Sequence, residues 1–167
     1  MRRSLLLLAP LVLAACSSAG WRVFRTDELT VRYPKTWFAT KRALTPVTNP
    51  RQVLAVASYP LPRGNGGADG CAPKAALDRL PPNGAFVFGW EFSVPSPSGL
   101  RPADFPRRPA HFLLAKLTES DCLGRSYMLR FRDAGRFFQI HVALGSHASS
   151  STRTTVLRIV DSFRATP

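Results

Sequence analysis

The segment from residue 85 to residue 94 alternates bulky apolar side chains with smaller or polar ones. Five of these apolar side chains fall on one face of an extended strand: Phe86, Phe88, Trp90, Phe92 and Val94. A period of two is the period of a β-strand, and aromatic residues fit its pleated surface well. We therefore predict a central core strand here, in a sheet whose apolar face must be covered by other elements.

A β-hairpin is predicted between residues 126 and 144, where two alternating runs flank Ala134-Gly135. Pairing Asp133 with Arg136 places the apolar side chains of both runs on one face: Tyr127, Leu129, Phe131, Phe138, Ile140, Val142 and Leu144. A slip of one residue would divide this apolar set between the two faces. A two-residue turn needs positive φ at Ala134, which alanine adopts with difficulty, so a bulge is the alternative.

The remaining pattern completes an α+β domain. Further strands are expected at Leu29–Tyr33, Val53–Tyr59 and His111–Leu117, a short helix after Ala72-Pro73, and a final helix from the serines 149–151 to about Arg164. The glycines of residues 62–70 fit no phosphate-binding motif and are expected to form a turn. Turn-linked strands favour an antiparallel sheet, with the short middle helix and the C-terminal helix packed on it.

The N-terminus has the pattern of an export signal. A short basic start precedes an apolar run over residues 5–13, which is less than half of what a membrane-spanning helix needs. Leu13-Ala14-Ala15-Cys16 resembles the lipobox of bacterial lipoproteins. That resemblance implies a diacylglyceryl group on Cys16 and cleavage before it. An ordinary secretory signal, cut after Ala15 or Ala19, is the alternative.

The lipobox predicts three regions: a signal peptide over residues 1–15, a lipidated tether over 16–20, and one extracytoplasmic domain over 21–167. Two or more acyl chains anchor a protein stably. We therefore expect the chain on the extracytoplasmic side of the cell membrane. In a two-membrane bacterium, Ser17 would allow the outer membrane instead.

Lipidation of Cys16 would leave one pair among the three cysteines. In an oxidising compartment we expect Cys71 and Cys122 to form a disulfide that closes a loop of about 50 residues and stabilises the fold by roughly 4 kcal/mol. Two buried thiols or a metal-binding pair are the alternatives, although no His or third Cys stands at a zinc-like spacing.

The chain is strongly basic, with a net charge of +13 that falls to +11 when Arg2 and Arg3 are removed with the signal. Export argues against nucleic acid as the partner of this charge. The membrane itself, anionic lipid, an acidic envelope polymer or a partner protein are the candidates within reach. A basic surface that only keeps the protein soluble is equally consistent with the scattered charges.

Two segments of the mature chain resemble PsbP/Mog1-like domains, whose members include small actinobacterial lipoproteins. These are the strand ending Tyr33-Pro34-Lys35-Thr36-Trp37 and the closing helix Val156–Phe163. The resemblance covers a minor part of the chain and implies a sheet between helices. The family has no shared catalytic residues, so the resemblance implies nothing about chemistry.

Catalytic motifs are missing from the sequence, and no cofactor or metal is expected. His111, His141 and His147 each lack an acidic residue at motif spacing, which is typical of surface or packed histidines. Glu91 is the one acid in an apolar strand. Burial would raise its pKa and make it a candidate acid or base, but pairing with an arginine or exposure to solvent is the simpler interpretation.

The sequence thus favours a non-enzymatic module that binds a partner at the envelope. Arg101, Arg107 and Arg108, on the proline-rich loop of residues 95–110, are the predicted binding residues. The alternative is an extracytoplasmic hydrolase with an unfamiliar site built around Glu91 and a histidine.

Overall fold

The computed structural model describes residues 20–63, 73–94, 99–115, 117–120 and 123–167. The strands are β1 Trp21–Arg25, β2 Leu29–Pro34, β3 Phe38–Ala39, β4 Arg51–Ala57, β5 Ala85–Phe92, β6 Leu117–Ser120, β7 Gly124–Asp133, β8 Arg136–Leu144 and β9 Arg164–Ala165. The helices are α1 Lys74–Leu77 and α2 Ser150–Asp161, with a single 3-10 turn at Pro102–Asp104.

These strands form two antiparallel sheets. The smaller sheet has the order β1-β2-β9, and the larger has the order β3-β4-β5-β8-β7-β6. The predicted α+β class is confirmed, with one short helix in the middle of the chain and one near its C-terminus. The sequence predicted one sheet. The second sheet arises because β1 and β9 pair with opposite edges of β2. The sequence pattern did not reveal these two short strands.

β5 lies in the middle of the larger sheet and is buried on both faces. Its aromatic face joins an apolar cluster with Ala55, Leu44 and Phe105, whereas Val87 on the other face joins a cluster with Ile140. The predicted central core strand is confirmed. Because both of its faces exclude water, the sheet needs a cover on each side.

The C-terminal helix α2 covers one of these faces. Ser149 caps it by accepting a hydrogen bond from the Thr152 N–H, as the serine run predicted. Its buried side chains (Val156, Ile159 and Val160) pack with residues of both sheets. The prediction that the helix reaches Arg164 is wrong, because the chain leaves it after Asp161 and pairs Arg164 with Thr30 in β9.

The hairpin of β7 and β8 has the predicted register, in which Asp133 pairs with Arg136 and Phe131 with Phe138. Its turn consists of two residues, with φ of 49° at Ala134 and 75° at Gly135. No bulge relieves Ala134. The burial gained by keeping all apolar side chains on one face therefore outweighs the strain at that alanine.

Two predicted strands need correction. Residues 111–115 form no strand, because Phe112 turns into the core and its N–H bonds to the Asp161 carboxylate at 2.7 Å. The strand of this region begins at Leu117 instead. The strand predicted over Val53–Tyr59 begins earlier and ends at Ala57, where Ser58 uses its hydroxyl to accept the N–H of Ala85.

The three cysteines, Cys16, Cys71 and Cys122, lie outside the described residues, as do the lipobox and the glycines of 64–70. The lipid anchor and the disulfide therefore stay predictions. Within the described ranges, no helix combines the length and the apolar character needed to cross a membrane.

The strained turn gives a stability prediction. Ala134→Asn should raise the free energy of unfolding by about 1 kcal/mol in urea denaturation, because asparagine tolerates positive φ much better than alanine. Ala110→Asn is the control, since Ala110 is also exposed but has no positive φ. An equal gain from both variants would contradict strain at Ala134.

Candidate functional site

Among the residues that the structure describes, no long helix lies over the second face of the larger sheet. It is covered by the one-turn helix α1 and by loops, which contribute the buried side chains Leu44, Phe105 and Leu123. Between these covers lies a cavity of about 470 Å³. Its lining residues are Val47, Pro50, Trp90, Phe92, Thr118, Glu119, Leu123, Met128, Arg130, Gln139 and His141. The volume falls within the usual range of small-molecule sites.

One wall of the cavity is the loop between β3 and β4, which contributes Val47 and Pro50. The side chain of Gln52 holds this loop in place. Its Oε1 accepts the Leu44 N–H at 2.7 Å, and its Nε2 donates to the Arg42 carbonyl at 2.9 Å. The wall is therefore fixed by hydrogen bonds to a strand as well as by the burial of Leu44.

The floor of the cavity comes from the sheet. Trp90 and Phe92 project from β5, and Met128 projects from β7. Trp90 is fixed by an edge-to-face contact with Phe88, with 4.8 Å between the ring centroids. The floor is thus a rigid aromatic surface beside one adaptable thioether.

A chain of polar side chains crosses this apolar floor. Arg130 Nε donates to Gln139 Oε1 at 2.6 Å, Gln139 Nε2 lies 2.6 Å from His141 Nε2, and His141 Nδ1 lies 3.2 Å from Ser126 Oγ. The register of β7 and β8 sets these neighbours, since Arg130 pairs with Gln139 and Met128 with His141.

The arginine decides the direction of every bond in the chain. A guanidinium only donates, so the Gln139 oxygen must face Arg130 and its NH₂ must face His141. The His141 Nε2 then accepts, and in the neutral ring Nδ1 carries the hydrogen and donates to Ser126. Each of the three bonds thus joins a donor to an acceptor, as buried polar groups require.

His141 is held neutral by its surroundings. Burial, and to a smaller extent the nearby Arg130 charge, lowers its pKa to about 4. Only 4% of the residue is exposed. At neutral pH the ring therefore presents an uncharged surface to the cavity.

The contact between Ser126 and His141 resembles part of a nucleophile–base pair, but its surroundings favour a structural role. The second ring nitrogen faces Gln139, where a triad would place a carboxylate. Ser126 is buried to 1% exposure and does not line the cavity. A hydroxyl in that position has no surface on which to meet a substrate.

Arg130 keeps part of its hydrogen-bonding capacity. Only Nε is used by Gln139, and across the described residues its two Nη groups have neither a hydrogen bond nor an ion pair. Glu119 also lines the cavity but forms no ion pair with Arg130. The guanidinium can therefore donate hydrogen bonds to a carboxylate or another anionic group of a ligand.

Glu91, the acid at the centre of the alternative enzyme hypothesis, lies away from this site. It pairs with Phe138 in the sheet, one residue from the Trp90–Gln139 pair, so its side chain points to the opposite face. Its carboxylate bonds to Arg51 Nη2 and Arg136 Nε, both at 2.6 Å. Pairing with arginine, the simpler interpretation, is confirmed.

The three predicted binding arginines have different environments. Arg101 and Arg107 are exposed. Arg108 is half-buried: Nη2 donates to the Asp161 carbonyl at 2.5 Å, and the guanidinium lies 5.3 Å from the centre of the Phe112 ring. Burial lowers the pKa of Arg108. Arg108 thus fastens the proline-rich loop to the end of α2, and a binding role for the three residues stays a prediction.

The other two histidines lie outside the cavity. His111 is exposed and its Nδ1 lies 3.2 Å from Asp161, and His147 is exposed in the loop before α2. The part of the chain that the structure describes contains no group of three or more residues able to hold a metal ion.

Comparison of the chain with protein-family models, with curated proteins and with solved structures found no match. The function is therefore inferred from the cavity and from the sequence. Residue pattern alone did not reveal Arg130, Gln139 and His141 as neighbours of Trp90, because strand alternation places them on the polar side of the hairpin. The pairing of β8 with β5 places that polar side next to the aromatic side chains of β5, on the same face of the larger sheet.

The neutral His141 predicts a pH-dependent stability. Because its folded pKa of about 4 lies below the ordinary value of 6.5, the unfolded chain binds the proton first as the pH falls. Stability should therefore fall between about pH 6.5 and pH 4, by roughly 2 kcal/mol from pH 7 to pH 4.5. The measurement is urea denaturation at both pH values.

His141→Asn is the variant for this test, and His147→Asn is its exposed control. The asparagine at position 141 should remove most of the histidine-dependent fall, while the control keeps it. If His141→Asn loses stability with pH as steeply as the wild-type protein, His141 does not cause the effect.

Proposed function

We propose that the protein is a membrane-anchored extracytoplasmic lipoprotein whose domain binds a small apolar molecule with one anionic group. The cavity of about 470 Å³, with apolar walls and a partly unpaired guanidinium, is the observation that carries the binding proposal. The lipobox at Cys16 supports the anchor.

The two parts of such a ligand match two parts of the site. Trp90, Phe92 and Met128 offer an apolar surface from which binding would displace water. The Nη groups of Arg130 offer two parallel donors, the arrangement that a carboxylate or phosphate oxygen pair accepts. Neutral His141 adds no second positive charge and the Glu119 carboxylate in the lining repels an anion, so the anionic group would be directed to Arg130 alone.

A binding role is also favoured over catalysis by what the polar groups do. Gln139, His141 and Ser126 are committed to one another, and the chain of bonds leaves none of them poised to transfer a proton to a ligand. Rigid polar groups among apolar walls are typical of sites that orient a ligand.

Dodecanoate and dodecanol, which share one alkyl chain and differ in the headgroup, test the proposal by isothermal titration. We expect dodecanoate to bind more tightly than dodecanol. Arg130→Gln deletes the charged donors and should reduce the ratio of the two affinities about tenfold. Arg132→Gln is the matched control, because Arg132 is exposed and does not line the cavity.

Filling the cavity gives a second arm of the same test. Met128→Trp should abolish binding of both compounds, whereas Leu113→Trp, which adds the same ring at a position 72% exposed, should leave binding intact. Thermal unfolding of each variant verifies the fold. Equal binding by Met128→Trp and the wild-type protein would show that the ligand lies elsewhere.

The anchor has its own test, the intact mass of protein extracted from membranes. We expect a chain that begins at Cys16 and carries a diacylglyceryl group, and we expect Cys16→Ser to remove that added mass. An N-terminus at any other residue, or Cys16 without lipid, would contradict the anchor while leaving the cavity proposal untouched.

A further inference from the structure

The smaller sheet presents an exposed face whose cations have few protein partners. We call it the basic face and define it by Trp21, Val23, Arg25, Thr30, Arg32 and Arg164. Strand alternation assigns these residues to one side, because Phe24, Leu29 and Val31 are buried on the other. The strand register agrees, since Val23 pairs with Arg32, Arg25 with Thr30, and Thr30 with Arg164.

Two charges of the basic face, those of Arg25 and Arg32, are available for binding, whereas Arg164 Nη1 donates to the Asp161 and Phe163 carbonyls. Arg25 and Arg32 are exposed, and their guanidinium groups have no ion pair or hydrogen bond with any described residue. Arg158 extends the face from α2, with its guanidinium 4.7 Å from the centre of the Trp21 ring. The acids near the face are engaged elsewhere or stand at its rim. Glu28 pairs with Arg51, Asp133 accepts the Ala165 N–H, Asp161 accepts the Phe112 N–H, and Asp27 lies in the turn between β1 and β2.

An apolar element lies among these cations. Val23 is 56% exposed at the centre of β1, and half-buried Trp21 lies on the same face. A protruding apolar residue with arginines around it suits a lipid headgroup region better than a dissolved polymer. There the arginines can meet phosphates while the valine and the indole contact the boundary of the acyl chains.

The position of the face along the chain points to the same partner. Trp21 lies five positions after Cys16, a span of at most about 18 Å even when fully extended. With Cys16 lipidated, β1 must therefore lie close to the membrane surface. We propose that the basic face docks on the anionic lipid surface to which the protein is anchored, an orientation that rests on the proposed lipidation of Cys16.

Vesicle sedimentation of the complete mature chain, residues 16–167, carrying Cys16→Ser tests the docking itself. Without the lipid anchor on Cys16, the chain should bind vesicles that contain phosphatidylglycerol and should dissociate from them as the salt concentration is raised. It should not bind vesicles of pure phosphatidylcholine. Equal binding to the two vesicle types, or none to either, would overturn the proposal.

A matched pair of double variants separates the basic face from net charge. The double variant Arg25→Ser with Arg32→Ser should lower the vesicle partition coefficient about thirtyfold, because the loss of each cation lowers it slightly more than about fivefold. Arg125→Ser with Arg132→Ser removes the same charge from exposed positions on β7 and should cost far less. Equal losses in the two variants would mean that no particular face docks.

Soluble polyglutamate distinguishes a membrane from an acidic polymer. Val23→Ser should weaken vesicle binding and leave polyglutamate binding unchanged, because only a lipid surface offers apolar contact. If polyglutamate binds more tightly than the vesicles and Val23→Ser changes neither, the face serves a polymer and the proposal is wrong. These measurements involve neither the lipid anchor on Cys16 nor the cavity. A negative result here would therefore contradict the docking proposal and leave the proposed function untouched.

Discussion

The architecture depends on one strand that must be kept dry on both sides. β5 carries aromatic residues on one face and Val87 on the other, and it pairs with β4 and β8 along its length. The larger sheet therefore needs two covers. Within the described ranges, a twelve-residue helix and a second sheet cover one face, and a one-turn helix and loops cover the other. Loops pack less regularly than a helix, and the cavity lies on the side that they cover.

The polar chain from Arg130 to Ser126 is the second constraint. Leaving a buried polar group without a partner costs about 1–3 kcal/mol, so four such side chains on an apolar floor are tolerated only when each finds a partner. The single direction of donation from Arg130 provides that condition. It also leaves the Nη groups of Arg130 as the part of the chain that can still bind something else, while burial keeps His141 neutral. Rigidity of the floor and the proposed selectivity for an anionic group thus have a common origin.

Sequence pattern predicted the elements that are set by local physics. The register of the hairpin followed from the need to keep its apolar residues on one face, and Ser149 was among the residues expected to cap α2. The short strands β1, β3 and β9 were missed because two to five residues carry little periodicity. Residues 111–115 were predicted as a strand because the pattern cannot show that Asp161, about 50 residues later, bonds to the Phe112 N–H. The cavity was missed for the same reason, since it depends on strand order and on loops that meet only in the folded chain.

The central claim is that the cavity is a ligand site, and the methyl group of Met128 offers a direct test of it. The sequence has two methionines, Met1 and Met128, so a chain that begins at Cys16 retains only the one that lines the cavity. Methyl-labelled methionine should therefore give a single NMR signal from the cavity wall. Titration with dodecanoate should shift that signal and saturate. A signal that stays in place while dodecanoate binds, or an absence of binding at millimolar dodecanoate, would contradict the account.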